Sequence, residues 1–189
     1  DGFQVDADVK VNTNTETYAA WQWKANGGSR TTNAEDGNNP AGGYQANTTA
    51  GFSIVDYTGT GAAGTMAHGL GAAPKFIIVK SRDDAYGWYV MHNGGASMDA
   101  TDKLSLSNET AKVDDAQYWN DTAPTSTVFT LGDGNGTNKN DSNFIAYVWA
   151  PIQGFSKFGS YKGNGSADGP FIYTGFKPAF LLVKRADGT

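Results

Sequence analysis

The chain contains no cysteine. Disulfide frameworks, thiolate zinc sites and thiol catalysis are therefore excluded. Histidine is almost absent too, with two in 189 residues. His68 and His92 do not stand at metal-ligand spacing to one another. Leucine and methionine are scarce, and no window shows helical apolar periodicity beyond about two turns. No apolar run approaches the roughly 20 residues that a membrane-crossing helix needs, so no membrane insertion is expected. Basic residues never cluster beyond two in a row, and the formal charge is −5 with a pI near 4.8. Such a surface repels phosphate backbones, which removes nucleic acid from the expected partners. The opening "DGFQVDADV" lacks the basic and apolar regions of a signal peptide. It begins at Asp1 rather than Met, and a piece of a longer chain is expected.

What the sequence does hold is Thr, Val, Ile, Tyr and Phe, together with 25 glycines. That mixture favours pleated sheet. One glycine-rich stretch, "YTGTGAAGTMAHGLG" (57–71), spells G-x-G-x-x-G at Gly59, Gly61 and Gly64. It follows a strand-like "GFSIVDY", and Asp83 ends another strand-like run further on. On spacing alone this is a dinucleotide-binding fingerprint.

An internal repeat decides between nucleotide binding and a turn. "GFSIVDYTGTGAAGTMAHGLGAAPKFIIVKSRD" (51–83) aligns with "GFSKFGSYKGNGSADGPFIYTGFKPAFLLVKRAD" (154–187). Phe52 matches Phe155. After one extra residue near Gly159–Ser160, Tyr57 matches Tyr161, Gly59 and Gly61 match Gly163 and Gly165, Pro74 matches Pro178, and Lys80 matches Lys184. A one-residue β-bulge would place such an insertion. A dinucleotide loop must open a helix that holds the pyrophosphate. Here Gly69, Gly71 and Pro74 oppose a helix. The second copy has Asp168 in place of Gly64, and a carboxylate there would repel phosphate. Gly59, Gly61, Gly163 and Gly165 are therefore expected to shape tight turns between strands.

A second pair of segments repeats as well. "GFQV…NTETYAAWQWKA" (2–25) matches "VFTL…NDSNFIAYVWAP" (128–151), pairing Phe3 with Phe129, Tyr18 with Phe144 and Trp23 with Trp149. The spacing of these two alignments differs, so chain between Trp23 and Phe52 has no counterpart between Trp149 and Phe155. The organisation expected is the C-terminal part of a preceding repeat (1–24), a polar linker or loop (25–50), a complete repeat (51–150), and the N-terminal part of a following repeat (151–189). Residues 25–50 contain no Val, Ile, Leu, Met, Phe or Trp, too little apolar surface to offset the ordering of a packed segment. "KFIIVK" and "AFLLVK" read as central strands, apolar on both faces, and "GWYVMH" (87–92) as another. Ala19, Trp21 and Trp23, with their counterparts Ile145, Tyr147 and Trp149, read as the core side of an alternating strand. "GFQV" and "VFTL" each read as the first strand of a hairpin across a polar loop. The fold class expected is all-β: antiparallel β-sandwich-like modules in tandem repeat.

No catalytic constellation emerges, and no catalytic residue, metal ligand or cofactor is assigned. Asp83–Asp84 and Asp114–Asp115 are neighbours, which point to opposite faces of a strand. "DGNGTNKND" (133–141) resembles a calcium loop but has Asn138 where Gly is required and no flanking helices. A hairpin loop is expected there. "QYWNDTAPTSTVFT" (117–130) sets Tyr118 and Trp119 beside Asn120 and Asp121. These four are the candidate glycan or partner contacts, because aromatic faces stack on sugars while amide and acid groups bind hydroxyls. The competing reading makes Trp119 a core plug beneath a Pro-containing turn.

The segments "ETYAAWQWKA", "AGFSIVDYTGTGAAGTMAHGLGAAPKFIIVKSRD", "YWNDTAPTSTVFTLG" and "GFSKFGSYKGNGSADGPFIYTGFKPAFLLVKRAD" resemble repeat-bearing structural proteins of marine tailed bacteriophages. The piece "HGLGAAPKFIIVK" (68–80) is also similar to a strand–turn–strand motif of phage tail fibres. The resemblance spans the chain apart from 25–50. It implies a virion structural protein, a module of a tail fibre or surface appendage with an assembly or host-adhesion role. It implies other virion proteins and further copies as partners, a location on the particle surface, and host surface polysaccharide as a candidate ligand. The alternatives are a glycan-binding β-sandwich module of a secreted adhesin and a polysaccharide-degrading enzyme, which would need a converging carboxylate pair.

Overall fold

Short runs rich in β-branched and aromatic residues, divided by Gly, Asn and Asp, become strands and turns. The computed structural model describes residues 2–25, 28–95 and 97–188. Asp1, Asn26, Gly27, Ala96 and Thr189 lie outside the described residues, and each of the expected spans 1–24, 25–50, 51–150 and 151–189 takes in one or more of them. In chain order the elements are α1 (Val9–Asn12), β1 (Thr31–Asn33), β2 (Gly42–Asn47), β3 (Phe52–Thr58), β4 (Gly64–Ala67), β5 (Phe76–Ser81), β6 (Tyr89–His92), β7 (Asp102–Ser105), β8 (Val113–Asp114), α2 (Ala116–Trp119), β9 (Val128–Leu131), α3 (Asn135–Asn138) and β10 (Asn143–Trp149).

Eight strands form one sheet in the order β1-β2-β3-β10-β5-β6-β7-β8, and β4 pairs with β9 in a second, two-stranded sheet. Every pairing is antiparallel. Among the described residues the protein is all-β apart from three single-turn helices. β10 lies at the centre, with Ala146 opposite Val55 on one side and Val79 on the other. The first and last strands of the 51–150 unit, β3 and β10, are thus hydrogen-bonded neighbours.

The sheet has two unlike faces. Val55, Tyr57, Ile77, Val79, Met91, Phe144, Ala146 and Val148 point to one side and are fully buried. Met66 on β4, Phe129 and Leu131 on β9, and Trp119 on α2 close over them to make the main core. Burying each such side chain stabilises by about 1.5–3 kcal/mol. Tyr57 stacks on Phe144 at 5.3 Å, and its hydroxyl donates to Thr137 O at 2.5 Å.

The opposite face carries Phe52, Phe76, Tyr147 and Trp149. This reverses the sequence expectation for β10, where the Ile145, Tyr147 and Trp149 side was read as core. Phe144, Ala146 and Val148 are the fully buried set, while Ile145, Tyr147 and Trp149 stay half-buried. Aromatic size pointed to the wrong side, because the tightly covered face takes residues that fit beneath the close-packed β4–β9 pair.

Three further expectations are corrected. Residues 25–50 are not a linker: β1 and β2 form a hairpin that extends the sheet next to β3. What holds it is backbone pairing and close approach rather than apolar bulk. A Cβ on Gly42 would run into the backbone of Asp56 and Tyr57, and one on Gly43 into Thr31 O. Tyr44 and Ala46 pack against the core, and Arg30 binds Asp56 in a two-pronged pair with both contacts at 2.7 Å. β9 does not form a hairpin with β10; it pairs with β4, and α3 lies between β9 and β10. Finally, residues 2–25 and 154–188 contain no strands among the described residues. Trp21, Phe155, Phe171 and Leu181 there are largely exposed.

Candidate interaction surface

The half-covered face of the sheet is an aromatic band. β3, β10 and β5 run side by side, so Phe52, Trp149 and Phe76 stand in register. Trp149 lies 5.0 Å from Phe52 and 5.2 Å from Phe76, centroid to centroid. Two residues along β10, Tyr147 stacks near Trp88 at 6.4 Å, as the two-residue period of a strand requires. The terminal segments cover one end of this band. Trp23 lies against Phe52 and Trp149, and Phe158 stacks on Phe76 at 5.6 Å.

Beside the band is an open groove of about 630 Å³. Trp88, 41% exposed, forms one wall with Tyr86, and Ser107, Asn108 and Thr110 supply hydroxyl and amide groups. Trp88 is fixed in place, since its backbone N–H donates to Ser107 Oγ at 2.8 Å and its carbonyl accepts from Leu106 N at 2.9 Å. Lys80 and Lys103 also line the groove. Lys103 Nζ sits over the Tyr118 ring at 4.6 Å. An exposed indole, ordered hydroxyls and two ammonium groups form a surface able to stack on a sugar ring and pair with an acidic substituent. The sequence reading missed this groove, because Trp88 and Asn108 belong to different loops that only the β6–β7 pairing brings together.

The four candidate contacts at 118–121 do not form one surface. Trp119 is fully buried in the core, which removes it as a sugar platform and makes it the plug. Tyr118 is half-buried against Tyr89 at 4.7 Å, and burial is the main cause that pushes its hydroxyl pKa up. Asn120 and Asp121 are exposed in left-handed backbone conformations at the end of α2.

The glycine motif is a turn, and β4 rather than a helix begins at Gly64. Gly61 and its counterpart Gly165 have nearly equal φ values of +69° and +68°. Gly59 is required by proximity, because a Cβ would strike Lys139 O. Gly163 lies in the extended, exposed C-terminal segment. Asn138, from the loop read as a hairpin, locks this turn. Its Nδ2 donates to Ala62 O and Gly132 O at 2.8 Å each, and its Oδ1 accepts from Thr60 N at 2.9 Å. His68 is likewise structural: Nδ1 accepts from Leu70 N, Nε2 faces Thr125 O, and burial lowers its pKa. Asp84 accepts from Lys139 Nζ at 2.7 Å and Ser142 Oγ at 3.0 Å, and the Lys139 contact is the first cause of its lowered pKa. Among the described residues, no group of three or more His, Asp or Glu side chains is placed to hold a metal, and no helix is long and apolar enough to cross a membrane.

Fold and surface together define an all-β protein with a closed core, an aromatic second face and a polar-aromatic groove. The chain belongs to the family described as a domain of unknown function, DUF7483, whose model matches residues 1–189. Comparison with curated proteins and with solved structures finds no match.

Proposed function

We propose that this chain is a structural module of a tailed-phage virion, built in tandem into a tail fibre or surface appendage, where it serves assembly or host adhesion. The observation that carries the reading is the closure of the 51–150 unit. Its first and last strands pair at the sheet centre, and sequence copies of its opening and closing strands flank it on both sides. A unit that closes on itself can be strung in series, each copy burying its own core. Its partners are further copies and other virion proteins, and its role is mechanical rather than catalytic. Mass spectrometry of purified particles should detect the chain, and immunogold labelling should decorate a tail or appendage. Absence from particles would refute the assignment.

The exposed indole of Trp88 beside the groove supports a second reading, a glycan-binding module of a secreted adhesin. On that reading a glycan array gives binding that Trp88→Ala abolishes. Binding unchanged by that substitution would place the site elsewhere.

A further inference from the structure

The groove beside Trp88 presents hydrogen-bond donors on groups whose acceptor sites are already used. Ser107 Oγ accepts from Trp88 N at 2.8 Å, and Ser105 Oγ accepts from Ser107 N at 3.1 Å. Neither hydroxyl has a protein acceptor for its own hydrogen among the described residues. Ser105 is only 5% exposed, so its unmet O–H carries a cost that a ligand oxygen removes. Asn108 Oδ1 accepts twice from Thr110, from N at 3.3 Å and from Oγ1 at 2.6 Å, which leaves the Nδ2 hydrogens as donors. Gly87 keeps the two serines open. A Cβ there would stand 3.1 Å from Ser107 Oγ and 3.5 Å from Ser105 Oγ.

Charge sets what these donors suit. The whole chain carries −5, yet the groove lining holds Lys80 and Lys103 and no Asp or Glu. Lys103 Nζ rests against two rings, 4.6 Å from the centroid of Tyr118 and 5.7 Å from that of Tyr89. No carboxylate pairs with it among the described residues. An aromatic face holds an ammonium in place and leaves its charge unneutralised. Lys80 Nζ donates to the main-chain oxygens of Ser81 and Asp84 at 2.8 and 3.2 Å, and the Asp84 carboxylate is taken by Lys139 and Ser142. An ammonium has three N–H donors, so both lysines keep capacity for a ligand. We propose that this groove binds an acidic sugar. The ring stacks on Trp88, and a carboxylate or sulfate on the ring accepts from Lys103 and from the serine and amide donors. This rests on the glycan reading of Trp88 above and adds the class of sugar and the residue that selects it. A neutral sugar stacks on the indole equally well, but only an anion makes charge-assisted bonds, which are roughly twice as strong as neutral ones. Lys103 is therefore the specificity-determining residue.

Isothermal titration of the full chain compares short oligogalacturonides with the same oligomers methyl-esterified, which keeps the rings and removes the charge. The acid form should bind about tenfold more tightly, the worth of a hydrogen bond to a charged group. Lys103→Gln should remove most of that preference, and Lys103→Arg should retain it, whereas a purely packing role for Lys103 would shift acid and ester together. Sulfated galactan oligomers form a third arm. Binding tighter than the oligogalacturonide assigns sulfate as the acid group, and weaker binding assigns carboxylate. If Lys103→Gln loses its β-sheet circular dichroism, the acid-to-ester ratio of the unsubstituted chain decides. The inference is overturned if neither anionic oligomer binds more tightly than the ester, or if the preference survives Lys103→Gln. Acid and ester binding alike, both abolished by Trp88→Ala, would sink the charge selection and keep the glycan reading. No binding by any of the three oligomers sinks the inference, while the glycan reading stands or falls on the array.

Discussion

Replacing Asn138 should destabilise the protein by an amount that its bonding sets. The amide is fully buried and makes three hydrogen bonds, to Thr60 N, Ala62 O and Gly132 O. Each such bond contributes a net of roughly 0.5–1.5 kcal/mol, so Asn138→Ala should cost about 3 kcal/mol. For a chain of this size that corresponds to a fall in melting temperature of about 6–12 °C. Asn138→Asp separates bonding from bulk. A carboxylate can still accept from Thr60 N, but it turns oxygen toward Ala62 O and Gly132 O, where the amide had donated. The folded state then favours the protonated acid, raising its folded pKa above the unfolded value of about 3.9. The stability of this variant is therefore greatest below that value and is lost as pH rises through the folded pKa. Thermal melts followed by circular dichroism from pH 4 to 8 should show the Asp variant falling progressively behind the parent chain. A cost below about 1 kcal/mol for the Ala variant, or an Asp variant that parallels the parent at every pH, would refute the reasoning.

Four other substitutions have definite expected outcomes. Gly42→Ala sets a Cβ against the backbone of Asp56 and Tyr57, so hydrogen exchange should accelerate in β2 while β10 stays protected. Trp119→Ala should cost about 3–5 kcal/mol in denaturant titration. Trp119→Phe should cost much less, since Nε1 has no hydrogen-bond partner to lose. Burial holds the folded pKa of His68 low, so its contribution is present above the unfolded pKa of about 6.5 and is lost as pH falls below it. His68→Gln should flatten that acid limb of the stability profile.

The legible parts of the fold are those where one residue pattern has one physical cause. The apolar run Phe76–Val79 within "KFIIVK" lies in β5 at the sheet centre. Gly61 and Gly165 share a positive φ, but the strands expected on either side of Gly165 are absent among the described residues. The illegible parts depend on what lies across the fold. Which side of β10 is core depended on β4 and β9 packing over Phe144, Ala146 and Val148, and aromatic content pointed to the other side. The β1–β2 hairpin is held by a backbone ladder, two close-packed glycines and the Arg30–Asp56 pair, none of which registers as hydrophobicity. Trp119 reads equally as a core plug or a sugar contact, because sequence does not report exposure, and the fold buries it completely. Asn138 and Trp88 act through partners distant in the chain, Ala62 for one and Tyr147 for the other, and local pattern does not reveal such pairs.

The central claim is that the sheet and its closing strands form a self-sufficient unit, with the terminal segments as appendages to it. A chain trimmed to residues 28–151 tests it most directly, by calorimetry beside the full chain. A single cooperative transition near the melting temperature of the full chain is the predicted result. A trimmed chain that shows no cooperative transition would mean that the terminal segments are integral to the core, and would contradict the account.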